Sequence, residues 1–186
     1  MVSPVVLQQF AGLTDPTLLL TALAGGAFGA ALGALPAFIF TGFMVIAGEV
    51  ISASGIEGAA DGASLSATGF TGSLAFGPIF GPHVSFAAGA AAAAYAAKQG
   101  YIDDGKNILW PAGTQHIDVL AVGAGFGLFG HALVTILVGI NWPTDPIATT
   151  VFVSALVHRV AFGYSVIGEV TGDGMFDVGP WERDED

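Results

Sequence analysis

Three stretches of this chain, residues 16–48, 62–97 and 119–144, contain no Asp, Glu, Lys or Arg. Apolar runs of about 20 residues are long enough to cross a hydrocarbon layer of about 30 Å as helices. In that medium every backbone N–H and C=O must find a partner within the protein, which restricts a spanning chain to helices or closed barrels. Composition points the same way. Hydrophobic residues make up 53% of the 186 residues and charged ones 10%, and mean hydropathy is +0.73. A soluble domain carries roughly 25% charged residues. The reading is all-α: a polytopic transmembrane helix bundle, one integral membrane domain over residues 1–186 with an acidic C-terminal tail at 182–186. The N-terminus lacks the basic region of a signal peptide.

Charge and cysteine content narrow the function classes. Fifteen acids against four bases give a net charge of −11, which argues against nucleic acid and against a polybasic lipid-binding role. An acid-rich, Lys-poor surface suits solvation at very high salt, the composition expected of a halophilic archaeal protein; a generic acidic tail is the alternative. With no cysteine, disulfides, iron–sulfur clusters and thiolate chemistry are excluded.

Helix starts are legible. Thr14-Asp15-Pro16 and Thr144-Asp145-Pro146 each put a capping Asp before a Pro in the first turn, where the missing donor costs nothing. The first apolar run, about 17–52, is too long for one span. Pro36 divides it into 17–34 and 36–52, the alternative being one long kinked helix. Residues 70–98 contain Gly77-Pro78 and Gly81-Pro82, which break helical hydrogen bonding. The spacing predicts a broken or re-entrant segment over 70–83 and an Ala-rich helix after His83. Residues 117–140 and 146–169 supply two more spans. The count is five crossings, or six if 70–80 crosses separately. Lys98 and Lys106 share a loop and Arg183 lies in the tail, so these ends are expected to be cytoplasmic and the N-terminus outside. Trp110 and Trp142 then anchor opposite interfaces.

An internal repeat is also readable. Leu23–Gly29 resembles Leu120–Gly127 with one residue inserted, and Val45–Val50 parallels Val166–Val170. With three crossings between their starts, such repeats run in opposite senses, a transporter and channel device. The Thr-Asp-Pro starts fall out of this register.

Against this apolar background four residues stand out. His83 lies near the centre of 70–98, His131 near that of 117–140, and His158 with Arg159 near that of 146–169. Ionisable groups at bilayer depth face a bundle interior or a water-filled path. No carboxylate shares their depth, so the functional reading is a midplane site for an anion, a weak acid or a proton, with His able to titrate near neutral pH. The alternative is that each His donates to a carbonyl and Arg159 braces a helix. Gly81 and Pro82 join the candidate site, because a helix starting after Pro82 would present free amides to an anion. His158 and Glu169, eleven residues apart, share a helix face; Glu49 and Glu169 are candidate gates or path ends. Three His on separate segments could hold a metal, and two could ligate haem. Without a paired His motif, a Cys or an acid at that depth, no metal, cofactor or catalytic residue is expected, and the chain reads as non-enzymatic. Gly25, Gly29 and Gly33, with Gly123 and Gly127, allow close backbone approach, serving either internal packing or a homo-oligomer.

Phe80-Gly81-Pro82-His83 with the following Ala-rich helix, and Thr144-Asp145-Pro146 through Arg159-Val160-Ala161-Phe162-Gly163, resemble a family of small uncharacterised prokaryotic membrane proteins common in halophilic archaea. That resemblance implies a membrane setting and carries no activity. The expected function is a membrane channel or transporter for a small anion, weak acid or proton, with the lipid bilayer and a small solute or ion as partners, and a homo-oligomer is expected because five small spans barely enclose a pore alone. A structural or accessory subunit of a larger envelope complex is the alternative.

Overall fold

The computed structural model describes residues 10–54 and 69–166, and among them every regular element is helical. The five α-helices are α1 (Pro16–Leu32), α2 (Ala34–Ala53), α3 (Ser85–Lys98), α4 (Ile117–Gly139) and α5 (Pro146–Ala161). Short 3-10 turns at Ala11–Leu13 and Ala112–Thr114 and a π-helical turn at Thr71–Ala75 complete them. Two helices, α2 and α4, are long and apolar enough to cross a membrane; α1 and α5 are apolar but shorter.

Both expected caps form. Asp15 accepts from the amides of Thr17 and Leu18, and Asp145 from those of Ile147 and Ala148. Each Pro occupies the first position, and a cap of this kind contributes about 1 kcal/mol. The division of the first apolar run falls at Gly33, not Pro36. Gly33 has φ 94° and ψ 150°, and a Cβ there would stand 2.8 Å from the Leu109 carbonyl. The turn is then held by the Leu35 amide donating to Ile108 O at 3.1 Å. Pro36 lies in the first turn of α2, where it needs no hydrogen bond.

Residues 69–98 form one broken pass. Thr71 lies against Gly48, the Phe80 carbonyl meets Thr41, and Gly89 packs on Ala34. The segment therefore moves steadily back along α2 and does not turn around inside the bundle.

Small residues bring α1, α3 and α4 together. Ala22 opposes Gly127 and Ala30 opposes Gly123, so α1 and α4 run antiparallel with Gly26 at their crossing. Gly25 packs on Ile79 and Gly29 on Ser85, setting α3 parallel to α1. The buried cluster Ala30, Ala92, Ala96, Ala112 and Val119 packs where the C-terminal halves of α1 and α3 meet the start of α4. Helix α5 packs on α3 and α4, and the Tyr164 hydroxyl donates to the Ala94 carbonyl at 2.8 Å. The largest fully buried side chains are only Val84, Val119, Thr150, Ser85 and Ser154. Large apolar side chains point outward instead: Leu20, Phe43, Ile46, Val50, Phe152 and Val160 are all more than half exposed.

Candidate functional site

The Gly-Pro breaks release backbone carbonyls, and neighbouring hydroxyls take them up. Phe80 O accepts from Thr41 Oγ1 at 2.5 Å and from Ser85 Oγ at 3.1 Å. Gly81 O accepts the amides of Val84 and Ser85 at 2.8 and 2.9 Å, and Pro82 O that of Ala87 at 3.0 Å. This corrects the expectation of free amides at the start of α3, because the carbonyls of the two preceding residues fold back onto that first turn. Gly81 has a different role from anion binding. A Cβ there would lie 2.5 Å from Cε1 and 2.8 Å from Nδ1 of His83, so only glycine leaves room for the ring.

His83 is 2% exposed, and its Nδ1 has no hydrogen-bond partner among the described residues. Its carbonyl packs on the backbone of α4 at Gly130, next to His131. His131 is also buried, with Nε2 3.1 Å from Gly12 O. His83 lies within electrostatic reach of both His131 and Asp145. The structure thus brings His83 and His131 together. Separately, the face of α5 that packs on α3 and α4 buries two hydroxyls. Thr150 and Ser154 are 0% and 1% exposed, and neither Oγ has a partner. Thr150 was not visible as a candidate in the sequence. The available signal was the four-residue spacing of Thr150, Ser154 and His158, which puts all three on one face of a helix.

His158 and Arg159 do not join this pair. Helix α5 ends at Ala161, so they occupy its last turn, not its middle, correcting their expected depth. The His158 ring lies between Phe126 and Phe162, at centroid distances of 6.2 and 6.5 Å. Arg159 Nε donates to Ser165 O at 2.6 Å, bracing the helix end. Glu49 is exposed near the far end of α2 and accepts from Thr71 Oγ1 at 3.0 Å. Glu169, the second half of the Val166–Val170 repeat and the acidic tail lie outside the described residues.

A second polar group closes the opposite end of α4. Asp118 Oδ2 accepts from the hydroxyls of Tyr95 and Tyr101, both at 3.1 Å, while His116 stacks on Tyr101 at 3.7 Å. The bond to Asp118 raises the Tyr101 phenol above its ordinary value. The folded state then holds that proton more tightly than the unfolded one. The contribution is complete below the unfolded phenol value of about 10 and is lost as pH rises through the higher folded value. In a Tyr95→Phe, Tyr164→Phe background Tyr101 is the sole phenol. Asp118→Asn is expected to lower its titration, followed by phenolate absorbance; an unshifted curve would refute the contact.

A protein-family model described as a family of unknown function (DUF7973) matches residues 8–186. No curated protein and no solved structure matches the chain.

Proposed function

The chain belongs to the DUF7973 family, a family of unknown function, and we propose that it is a multi-pass membrane protein conducting protons or a small weak acid past the buried pair His83 and His131. The membrane setting is supported by the inversion of residue size. Alanine and glycine lie inside, while Phe43, Ile46, Val50 and Phe152 lie outside, the arrangement favoured where lipid offers no hydrophobic drive and close backbone approach holds helices together. Lys98, Lys106 and Arg159 sit at one end of the bundle with Asp103, Asp104 and Asp118, while Asp15, Glu49 and Asp145 lie at the other end without a described cation. By the positive-inside tendency the first end is cytoplasmic and the N-terminal end outside.

One observation carries the conduction reading. Among the described residues His83 Nδ1, Thr150 Oγ1, Ser154 Oγ and His158 Nδ1 are buried without partners, whereas buried polar groups are nearly always hydrogen-bonded. Elsewhere the broken backbone is paired with care, so these orphans are suited to a transient polar guest. An imidazole pair with hydroxyls and no adjoining guanidinium suits a proton or a weak acid in its neutral form better than a bare anion. Arg159, the expected anion partner, lies at the helix end, away from the two imidazoles.

In proteoliposomes reporting internal pH by dye, wild type is expected to dissipate an imposed proton or weak-acid gradient. The double variant Thr150→Val, Ser154→Ala should slow this by about tenfold, a barrier change of ~1.4 kcal/mol, while Phe152→Leu on the exposed face of the same helix should not. Absence of wild-type flux under every gradient would sink the reading. The alternative of a non-conducting subunit in a larger complex is favoured by the exposed row Phe38, Ile39, Phe43, Ile46 and Val50 on α2; stoichiometric co-purification of a second protein would support it.

A further inference from the structure

Between α4 and α5 the outer surface carries an open apolar cleft of about 290 Å³, lined by Val122, Gly125, Phe126, Phe129, Val157 and Phe162. Its floor is Gly125, where an added Cβ would meet nothing within 4 Å. The size suits a length of one acyl chain, since pockets for compact small molecules start at about 300 Å³ and enclose their ligands. The cleft begins at Phe162, and the turn that follows is flanked by two cations. Lys98 Nζ lies 5.8 Å from the centre of the Tyr164 ring and would stand 3.7 Å from a Cβ at Gly163. Arg159 lies within electrostatic reach of the same tyrosine and is fixed by its bond to Ser165 O. Lys and Arg number four in a chain of net charge −11, and two of them, one from the end of α3 and one from the end of α5, stand beside this cleft. Asp104 also faces Tyr164, and Asp118 is bonded to Tyr95, which packs on Phe162, so acids stand beside the two cations.

The geometry points to a binding site for an anionic phospholipid of the surrounding bilayer, its phosphate at Lys98 and Arg159 and one acyl chain lying from Phe162 inward to Phe129. This rests on the membrane reading above, and not on conduction. Basic groups at the mouth of an intramembrane cleft select anionic headgroups at the cytoplasmic face. The charge supplies the preference and the cleft supplies the anchoring, because each buried methylene adds to affinity.

Thermal unfolding and native mass spectrometry of the detergent-solubilised full chain test the assignment, using phosphatidylglycerol, phosphatidylcholine and inorganic phosphate as separate probes. Phosphatidylglycerol is expected to bind and raise the unfolding temperature, with phosphatidylcholine and phosphate doing neither. Lys98→Gln and Arg159→Gln should each weaken binding about fivefold, and Asp104→Asn should strengthen it. Gly125→Leu, whose Cβ meets nothing within 4 Å and whose remaining atoms extend into the cleft, should abolish binding while leaving the lipid-free unfolding temperature near that of wild type. Equal binding of phosphatidylcholine, stabilisation by phosphate alone, or full binding by Gly125→Leu would overturn the proposal. A carbonate wash separates the two readings. A chain that stays with membranes yet shows no anionic preference overturns the lipid site alone; a chain released to the supernatant overturns both.

Discussion

Gly26→Leu is expected to prevent assembly of the folded bundle. A Cβ at this position would run into the Gly123 carbonyl and lie 2.8 Å from the Gly127 Cα. Both obstacles are backbone, so no rotamer change relieves them, and the two helices must part. Their crossing is also the most extensive helix contact in the fold. Overpacking a core ordinarily costs 1–3 kcal/mol. Separating a backbone-to-backbone crossing should exceed that, roughly 3 kcal/mol or more, against a total stability of about 5–15 kcal/mol. Gly42→Leu is the matched control, because a Cβ there meets nothing within 4 Å. Size-exclusion profile and thermal unfolding in detergent check both. A monodisperse Gly26→Leu protein with the wild-type transition would show that α1 and α4 do not cross there.

His83→Leu is expected to do two opposite things: raise stability and abolish flux. A buried polar atom without a partner costs about 1–3 kcal/mol, and an apolar side chain of similar shape removes that cost. With His83 2% exposed and its Nδ1 unpartnered, the substitution should stabilise the protein by about 1 kcal/mol. The same change removes the titratable ring within electrostatic reach of His131, so proton or weak-acid flux should fall by at least about tenfold. Such a trade of stability for activity is common where a site keeps strained or unsatisfied groups. Destabilisation by His83→Leu would instead mean that the imidazole holds the fold. Stabilisation with unchanged flux would remove His83 from the path.

Much of this architecture was legible in advance, and the misses have identifiable causes. The charge-free stretches and the Asp-Pro starts led directly to α1, α4 and α5, because capping and hydrophobic length are local properties. The Gly-Pro pairs before His83 likewise announced a break, since a missing donor acts wherever it stands. Pro36 misled because a proline interrupts a helix interior but not its first turn, and which of these it occupies was decided by Gly33 meeting the Ile108–Leu109 carbonyls. The overestimated length of α5 had a local signal that was passed over. Gly163 adopts φ 75°, with Gly163 N on Val160 O and Tyr164 N on Arg159 O, the paired bonds of a glycine-terminated helix. Ending the helix there moved His158 and Arg159 from the middle of a span to its last turn.

The sequence by itself determined that this chain is helical and where most helices begin, since those depend on neighbouring residues and on the apolar length of each run. It also marked His83 and His131 as costly groups to bury. Only the tertiary structure decided their company. Two glycines within reach in sequence can serve either an internal crossing or a dimer, and packing alone committed Gly26, Gly123 and Gly127 to the former. The same packing set His83 near His131, buried Thr150 and Ser154 on α5, and left Arg159 at the bundle's end. Which side chains meet across separate helices depends on crossing point and rotation about each axis, and neither is written in any one segment.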